Sequence, residues 1–138
     1  VEGATGNYKT NFLGKAKACV DALNDGLDFV YVHIESADEC GHQGDLENKI
    51  YSIEQIDKVV EYVATNLQKT GERFKILLCP DHPTPISIKT HASDFVPYLI
   101  YDSQNVKQGQ PSYTENSAKQ TNIYYPNGES LIKNFFAK

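Results

Sequence analysis

Five residues in this chain could bind a divalent metal ion. Asp38 and His42 lie four apart in Asp38-Glu39-Cys40-Gly41-His42, and Asp81 and His82 are adjacent in Pro80-Asp81-His82-Pro83-Thr84-Pro85. His91 follows nine residues later in Ile86-Ser87-Ile88-Lys89-Thr90-His91. Mixed carboxylate and imidazole ligation suits Zn²⁺, Mn²⁺ or Fe²⁺ better than Ca²⁺, which prefers an all-oxygen shell. Three protein ligands per ion leave a coordination position open, which is the catalytic pattern rather than the structural one. Spacing alone leaves this reading and solvated loop residues equally open.

Those residues need strands to carry them. Asp28 to Glu35 (DFVYVHIE) and Phe74 to Cys79 are apolar on both faces, as parallel strands covered by helices are. Each is followed by one of the two clusters, at the strand end where open α/β sheets place their ligands. Three prolines in six residues stiffen the loop after the second strand by fixing φ. Val96 to Tyr101 reads as a third, shorter strand, and Pro97 assigns it to an edge or a strand start. Phe12, Ala16, Val20, Leu23 and Leu27 recur at helical spacing from about Thr10 to Asn24, with Gly26 as a stop.

Between the first two strands, Ser36 to Gly44 reads as a polar loop. Asp45 then offers an N-cap to a helix whose apolar stripe is Leu46, Ile50, Ile53, Ile56, Val60, Val63 and Leu67. A β-loop-α-β unit with a right-handed crossover follows. Glu115 to Lys119 suggests a helical turn, and Glu129 to Phe136 a terminal helix closing over the sheet. The fold class is therefore α/β, a mostly parallel sheet flanked by helices.

With 138 residues the chain can bury a real core, and its 22% charged content is ordinary for a soluble globular protein. A net charge of −5 argues against nucleic acid as a partner. No apolar run approaches the ~20 residues of a membrane span. Cys19, Cys40 and Cys79 form neither a CxxC motif nor a disulfide framework, which points to a reducing, cytoplasmic setting. There is no Met, Val1-Glu2-Gly3 is an unusual opening, and Arg73 is the one arginine beside twelve lysines. These features suit a piece of a larger protein.

GATG (Gly3 to Gly6), HIESADECGHQGDLENKIYSIEQID (His33 to Asp57) and PDHPTPISIKTHASDFVPYLIY (Pro80 to Tyr101) resemble the C-terminal half of the archaeal-type cofactor-independent phosphoglycerate mutases. These are two-metal enzymes of the alkaline phosphatase superfamily. The resemblance covers most of the chain to Tyr101 and then weakens. It implies an alkaline-phosphatase-like domain of which residues 1–138 form the C-terminal part. It implies two divalent ions (Mn²⁺, Zn²⁺ or Mg²⁺), one held by Asp38, His42 and His91. The second takes Asp81 and His82 together with an Asp and a nucleophilic Ser from sequence outside this chain, so no catalytic residue is assigned here. None of the eight serines has the context of that nucleophile.

The implied activity is 2,3-bisphosphoglycerate-independent interconversion of 3- and 2-phosphoglycerate in glycolysis, with phosphoglycerate as the small phosphorylated substrate. Alone, this stretch is expected to be inactive and to self-associate through an exposed sheet edge. Alternatives are another enzyme of that superfamily, such as a phosphopentomutase or phosphatase, and a non-catalytic domain that kept the fold. Substrate phosphate and carboxylate call for arginine forks. Arg73 precedes the second strand, at the wrong edge for that task.

Other residues have plainer readings. His33, inside the first strand, reads as a hydrogen-bonded core histidine. Cys40 and Cys79 read as small hydrophobes, Glu39 as solvated, and Lys89 as a surface lysine with a phosphate contact as the alternative.

Overall fold

A computed structural model describes residues 1–137. They divide into two compact units, the first of Val1–Glu72 with Thr84–Ala92, the second of Arg73–Pro83 with the residues from Ser93 onward.

In the first unit, the Asn11 side chain accepts from Gly14 N at 2.8 Å and so caps helix α1 (Phe12–Asn24). The same side chain donates to Glu2 O at 3.0 Å, fastening the Gly-rich opening segment to the helix start. Helix α2 (Ser36–Gln43) ends at Gly44, whose φ of +73° is the left-handed C-cap that glycine adopts without strain. Asp45 caps the 23-residue helix α3 (Leu46–Gln68) by accepting from Asn48 N at 3.1 Å. Its carboxyl is held below the usual carboxylate range chiefly by the hydrogen bond from the Asn48 side chain.

Helix α3 packs against both α1 and α2. The core consists of Phe12, Ala16, Cys19 and Val20 from α1 against Val59, Val63 and Leu67 from α3, with Cys40 from α2. Ala16 is fully buried, so α1 can approach α3 closely only because this position carries a methyl group.

The second unit holds strand β1 (Lys75–Leu78), strand β2 (Leu99–Asp102), helix α4 (Glu115–Gln120) and helix α5 (Gly128–Phe136). The strands run antiparallel, from Lys75 opposite Asp102 to Leu78 opposite Leu99. The Arg73 guanidinium clamps the open end of this pair, donating to Asp102 Oδ2 at 2.7 Å. Lys75 Nζ donates to the carbonyls of Phe135 at 3.2 Å and Ala137 at 2.6 Å, so a cation satisfies the end of α5.

Helices α1, α3 and α5, the turn at α4 and the N-cap at Asp45 match the expectations from sequence, and Lys75 on β1 ties α5 to the strand pair. Several readings are corrected. Residues 29–35 carry no regular secondary structure, and among the described residues the sheet has two antiparallel strands. The apolar pattern shows that 28–35 wants covering, but a strand exists only where another strand supplies hydrogen bonds. The segment read as a polar loop is α2, whose two turns carry too few apolar residues for periodicity to reveal them.

Of the stripe read for α3, Val63 and Leu67 are buried, together with Ser52 and Val59 outside it, whereas Leu46, Ile50 and Ile53 are half exposed or more. His33 is exposed rather than buried, with its ring stacked 6.3 Å from that of Tyr31.

Leu67 is 7% exposed and Ile53 53% exposed, although both belong to the stripe read from the sequence. Leu67→Ala should therefore cost about 2–5 kcal/mol in urea unfolding. Ile53→Ala should stay within about 0.5 kcal/mol. Equal losses would show that the burial of α3 is assigned to the wrong face.

Candidate metal centre

Helical geometry makes the first half of the site. Asp38 and His42 are i and i+4 on α2, so their side chains stand one above the other on the same face. His42 Nε2 lies 3.3 Å from Asp38 Oδ2. The second half comes from the segment 84–92 of the same unit. It delivers His91, whose Nε2 is 3.0 Å from His42 Nε2 and 3.6 Å from Asp38 Oδ1.

His42 Nδ1 meets the Lys89 carbonyl at 3.1 Å. A carbonyl only accepts, so Nδ1 carries a proton and the ring turns its Nε2 toward Asp38 and His91. This outer hydrogen bond is the arrangement that sets the tautomer and direction of metal-binding histidines. Lys89 makes it with φ of +53°, a left-handed conformation uncommon for a residue other than glycine. The role of Lys89 in the structure thus lies in its backbone, a signal no side-chain reading could find.

Two imidazole nitrogens and a carboxylate at these separations are held together by a proton or a cation among them: at 3.0 Å one of the two Nε2 atoms donates to the other, or both face a shared cation. The donor set fits a divalent ion. Zn–N and Zn–O bonds of about 2.05 Å in a tetrahedron put ligand atoms about 3.3 Å apart. The two Nε2 atoms lie 3.0 Å apart, and each histidine faces a different oxygen of Asp38, at 3.3 and 3.6 Å, separations close to that value.

Three further residues build the site. Thr84 Oγ1 donates to Asp38 Oδ1. Lys49, on α3, donates from Nζ to Ala37 O at 2.9 Å and to Thr84 O at 3.0 Å, tying α2 and the 84–92 segment to one ammonium. Burial pushes the Lys49 ammonium below its ordinary value, and the Asp38 charge opposes that shift. Gly41 allows the close approach, because a Cβ there would stand 2.5 Å from the Thr84 carbonyl. None of the three was singled out from sequence. For Thr84 the signal was the flanking pair of prolines, whereas a lysine on a polar helix face gives no sign that it points inward.

Asp81 and His82 belong to the second unit. There they pair with each other, His82 Nε2 lying 3.2 Å from Asp81 Oδ2, and the Asp81 carboxylate is mostly exposed. Arg73 is committed to Asp102, so it is a strand clamp. Burial raises the Cys40 thiol above its ordinary value, which keeps it protonated and fits the reading of a small buried hydrophobe. No helix among the described residues is long and apolar enough to cross a membrane.

Comparison with known proteins places this geometry in context. A family model described as "Metalloenzyme superfamily" matches residues 1–125. A protein of Methanothrix thermoacetophila named 2,3-bisphosphoglycerate-independent phosphoglycerate mutase is 42% identical over 134 residues, 96% of this chain and 34% of the relative. A Geobacter sulfurreducens protein with the same name, marked probable, is 39% identical over 135 residues, 96% of this chain and 33% of the relative. A solved structure from Pyrococcus horikoshii superposes with a TM-score of 0.76 at 33% identity, covering 86% of this chain and 35% of that one. The chain thus spans about a third of the length of the curated relatives it matches.

A methyl group at position 41 would collide with the Thr84 backbone at 2.5 Å and with Lys49 Nζ at 2.9 Å. Gly41→Ala should lower stability by about 1–3 kcal/mol, as overpacking does. Gly109→Ala, where nothing lies within 4 Å, is the neutral control. Thermal unfolding of both variants checks this, and an unchanged midpoint for Gly41→Ala would show that α2 and the 84–92 segment do not depend on that approach.

Proposed function

The chain belongs to the metalloenzyme superfamily, and we propose that it is the C-terminal, metal-bearing part of a 2,3-bisphosphoglycerate-independent phosphoglycerate mutase. The observation that carries this reading is the meeting of Asp38, His42 and His91 with His42 turned by the Lys89 carbonyl. The names of the relatives support the substrate, phosphoglycerate, and the isomerase reaction between its 2- and 3-phosphates.

In this reading Asp38, His42 and His91 hold one ion, while Asp81 and His82 give two ligands to a second and draw the rest from elsewhere in the full-length enzyme. Mn²⁺, Zn²⁺ or Mg²⁺ would supply Lewis-acid stabilisation of phosphoryl oxygens and of an attacking hydroxyl. The chain's own residues do the preparatory work. Asp38 contributes negative charge, His42 presents a lone pair whose direction is set by Lys89 O, and His91 closes the shell from the opposite segment. Residues 1–138 include no nucleophilic serine of the mutase type and no uncommitted arginine, so turnover requires more of the enzyme than is present here.

The same reading supplies the missing strand partners. Residues 29–35 would join a mostly parallel, alkaline-phosphatase-like sheet with strands from the remaining two thirds of the length seen in the relatives. Phe29 and Tyr31 on that segment, and Leu46, Ile50 and Ile53 on α3, are exposed in this chain and would then be covered. Without that cover the chain should self-associate through these surfaces. A glycolytic role and three free cysteines favour the cytoplasm.

Calorimetric titration tests the assignment. About one Mn²⁺ or Zn²⁺ per chain should bind appreciably, with a second binding far more weakly because Asp81 and His82 are two ligands where a stable site wants three or four. His91→Ala should weaken the first ion by more than about 100-fold, since even outer partners of a metal site are worth about 10–100-fold. Mutase assays of the pure chain should show no turnover of 3-phosphoglycerate. Two equally tight sites, or unchanged binding in His91→Ala, would sink the division of ligands. Measurable turnover would sink the claim that further sequence is needed.

A further inference from the structure

Helix α3 and the proline-flanked threonine together control a carboxylate that neither of them contains. We propose that Thr84 is a positioning residue for the metal centre, its hydroxyl holding the Asp38 carboxylate in the orientation that faces both histidines, with Lys49 as the anchor that holds Thr84. The inference rests on the reading of Asp38, His42 and His91 as metal ligands.

A free aspartate side chain turns readily about its last torsion, which is broad and two-fold. Unrestrained, it would lose the arrangement in which Oδ2 lies 3.3 Å from His42 Nε2 and Oδ1 3.6 Å from His91 Nε2. The hydroxyl donated by Thr84 to Oδ1 removes that freedom. It can do so because Thr84 is itself restrained. Pro83 and Pro85 restrict the backbone on both sides, and the residue is 6% exposed.

The Thr84 carbonyl accepts from Lys49 Nζ at 3.0 Å, and the same ammonium donates to Ala37 O at 2.9 Å. Ala37 precedes Asp38 directly. One cation therefore sets the backbone next to the ligand and the backbone that bears the hydroxyl, so the distance between them does not drift. Lys49 departs from the usual use of lysine, which keeps its ammonium in water. A half-buried ammonium spent on two carbonyls costs desolvation, and a purely structural link between α2 and a loop could be made by an uncharged donor. The hydroxyl supports the carboxylate by donating one hydrogen bond, and adds no charge that would compete with a dication.

Co²⁺ titration of the chain, followed by visible absorbance, tests the proposal with four proteins: wild type, Thr84→Val, Thr84→Ser and His91→Ala. Valine keeps the shape of threonine and removes the hydroxyl, while serine restores it. Thr84→Val should bind Co²⁺ about 10–100-fold more weakly, and Thr84→Ser should recover wild-type affinity within about threefold, although it lacks the methyl. A role confined to packing predicts the opposite order, with valine the better substitute, and would overturn the proposal. So would a Thr84→Val chain with wild-type affinity when His91→Ala has lost it. If His91→Ala binds Co²⁺ as the wild type does, the three-ligand reading itself fails, which is a separate result from failure of Thr84.

Discussion

Everything around the candidate centre answers to one electrostatic constraint: two imidazole nitrogens and a carboxylate face one another at 3.0 to 3.6 Å. Such acceptor-rich groups stay together only if the scaffold holds them and a proton or a cation sits among them. The scaffold does hold them. The helical i, i+4 relation sets Asp38 against His42, the Lys89 carbonyl orients His42, and the Thr84 hydroxyl occupies one oxygen of Asp38. Preorganisation of this kind would transfer the entropic cost of assembling a metal shell from binding to folding.

The features that serve this purpose are ones that stability alone would disfavour. Lys89 adopts a left-handed φ, Lys49 commits a half-buried ammonium to two carbonyls, and Gly41 puts the residue with the poorest helix propensity short of proline inside a two-turn helix. Each is unfavourable by itself, and each removes a degree of freedom from Asp38 or His42. Clustering of locally unfavourable choices is expected where a site, not the fold, sets the residue. In the core of the same unit, Phe12, Ala16, Val20, Val59, Val63 and Leu67 follow ordinary helical packing.

Helix α3 links the two regimes. Its buried positions Val59, Val63 and Leu67 pack in the α1–α3 core, while Lys49 near its start serves the centre. The apolar residues on its uncovered side, Leu46, Ile50 and Ile53, belong to a helix with more apolar surface than this unit can bury. A surface helix commonly shows one apolar stripe, and a helix apolar over a wider arc is built for contact on more than one side. Segment 29–35 has the same character, with apolar residues of strand type and no strand beside it. Both fit a chain that spans about a third of the length of its relatives.

Much of this was legible in the sequence, where local chemistry decides. Asp45 before an apolar-periodic run can hardly be other than an N-cap, and the four-residue spacing of Asp38 and His42 already allowed a shared face. The spacing of Asp38, His42 and His91 left ligands and solvated loop residues equally open, and the grouping of these three came from the family resemblance. What sequence could not decide depended on partners distant along the chain. Whether 28–35 is a strand depends on a neighbour's hydrogen bonds, and which side of α3 is buried depends on where α1 lies. The seating of Asp38 depends on a hydroxyl 46 residues away and a lysine on another helix. Those contacts are set by tertiary packing, because a hydrogen bond is formed by distance and angle in space and leaves no period in the sequence.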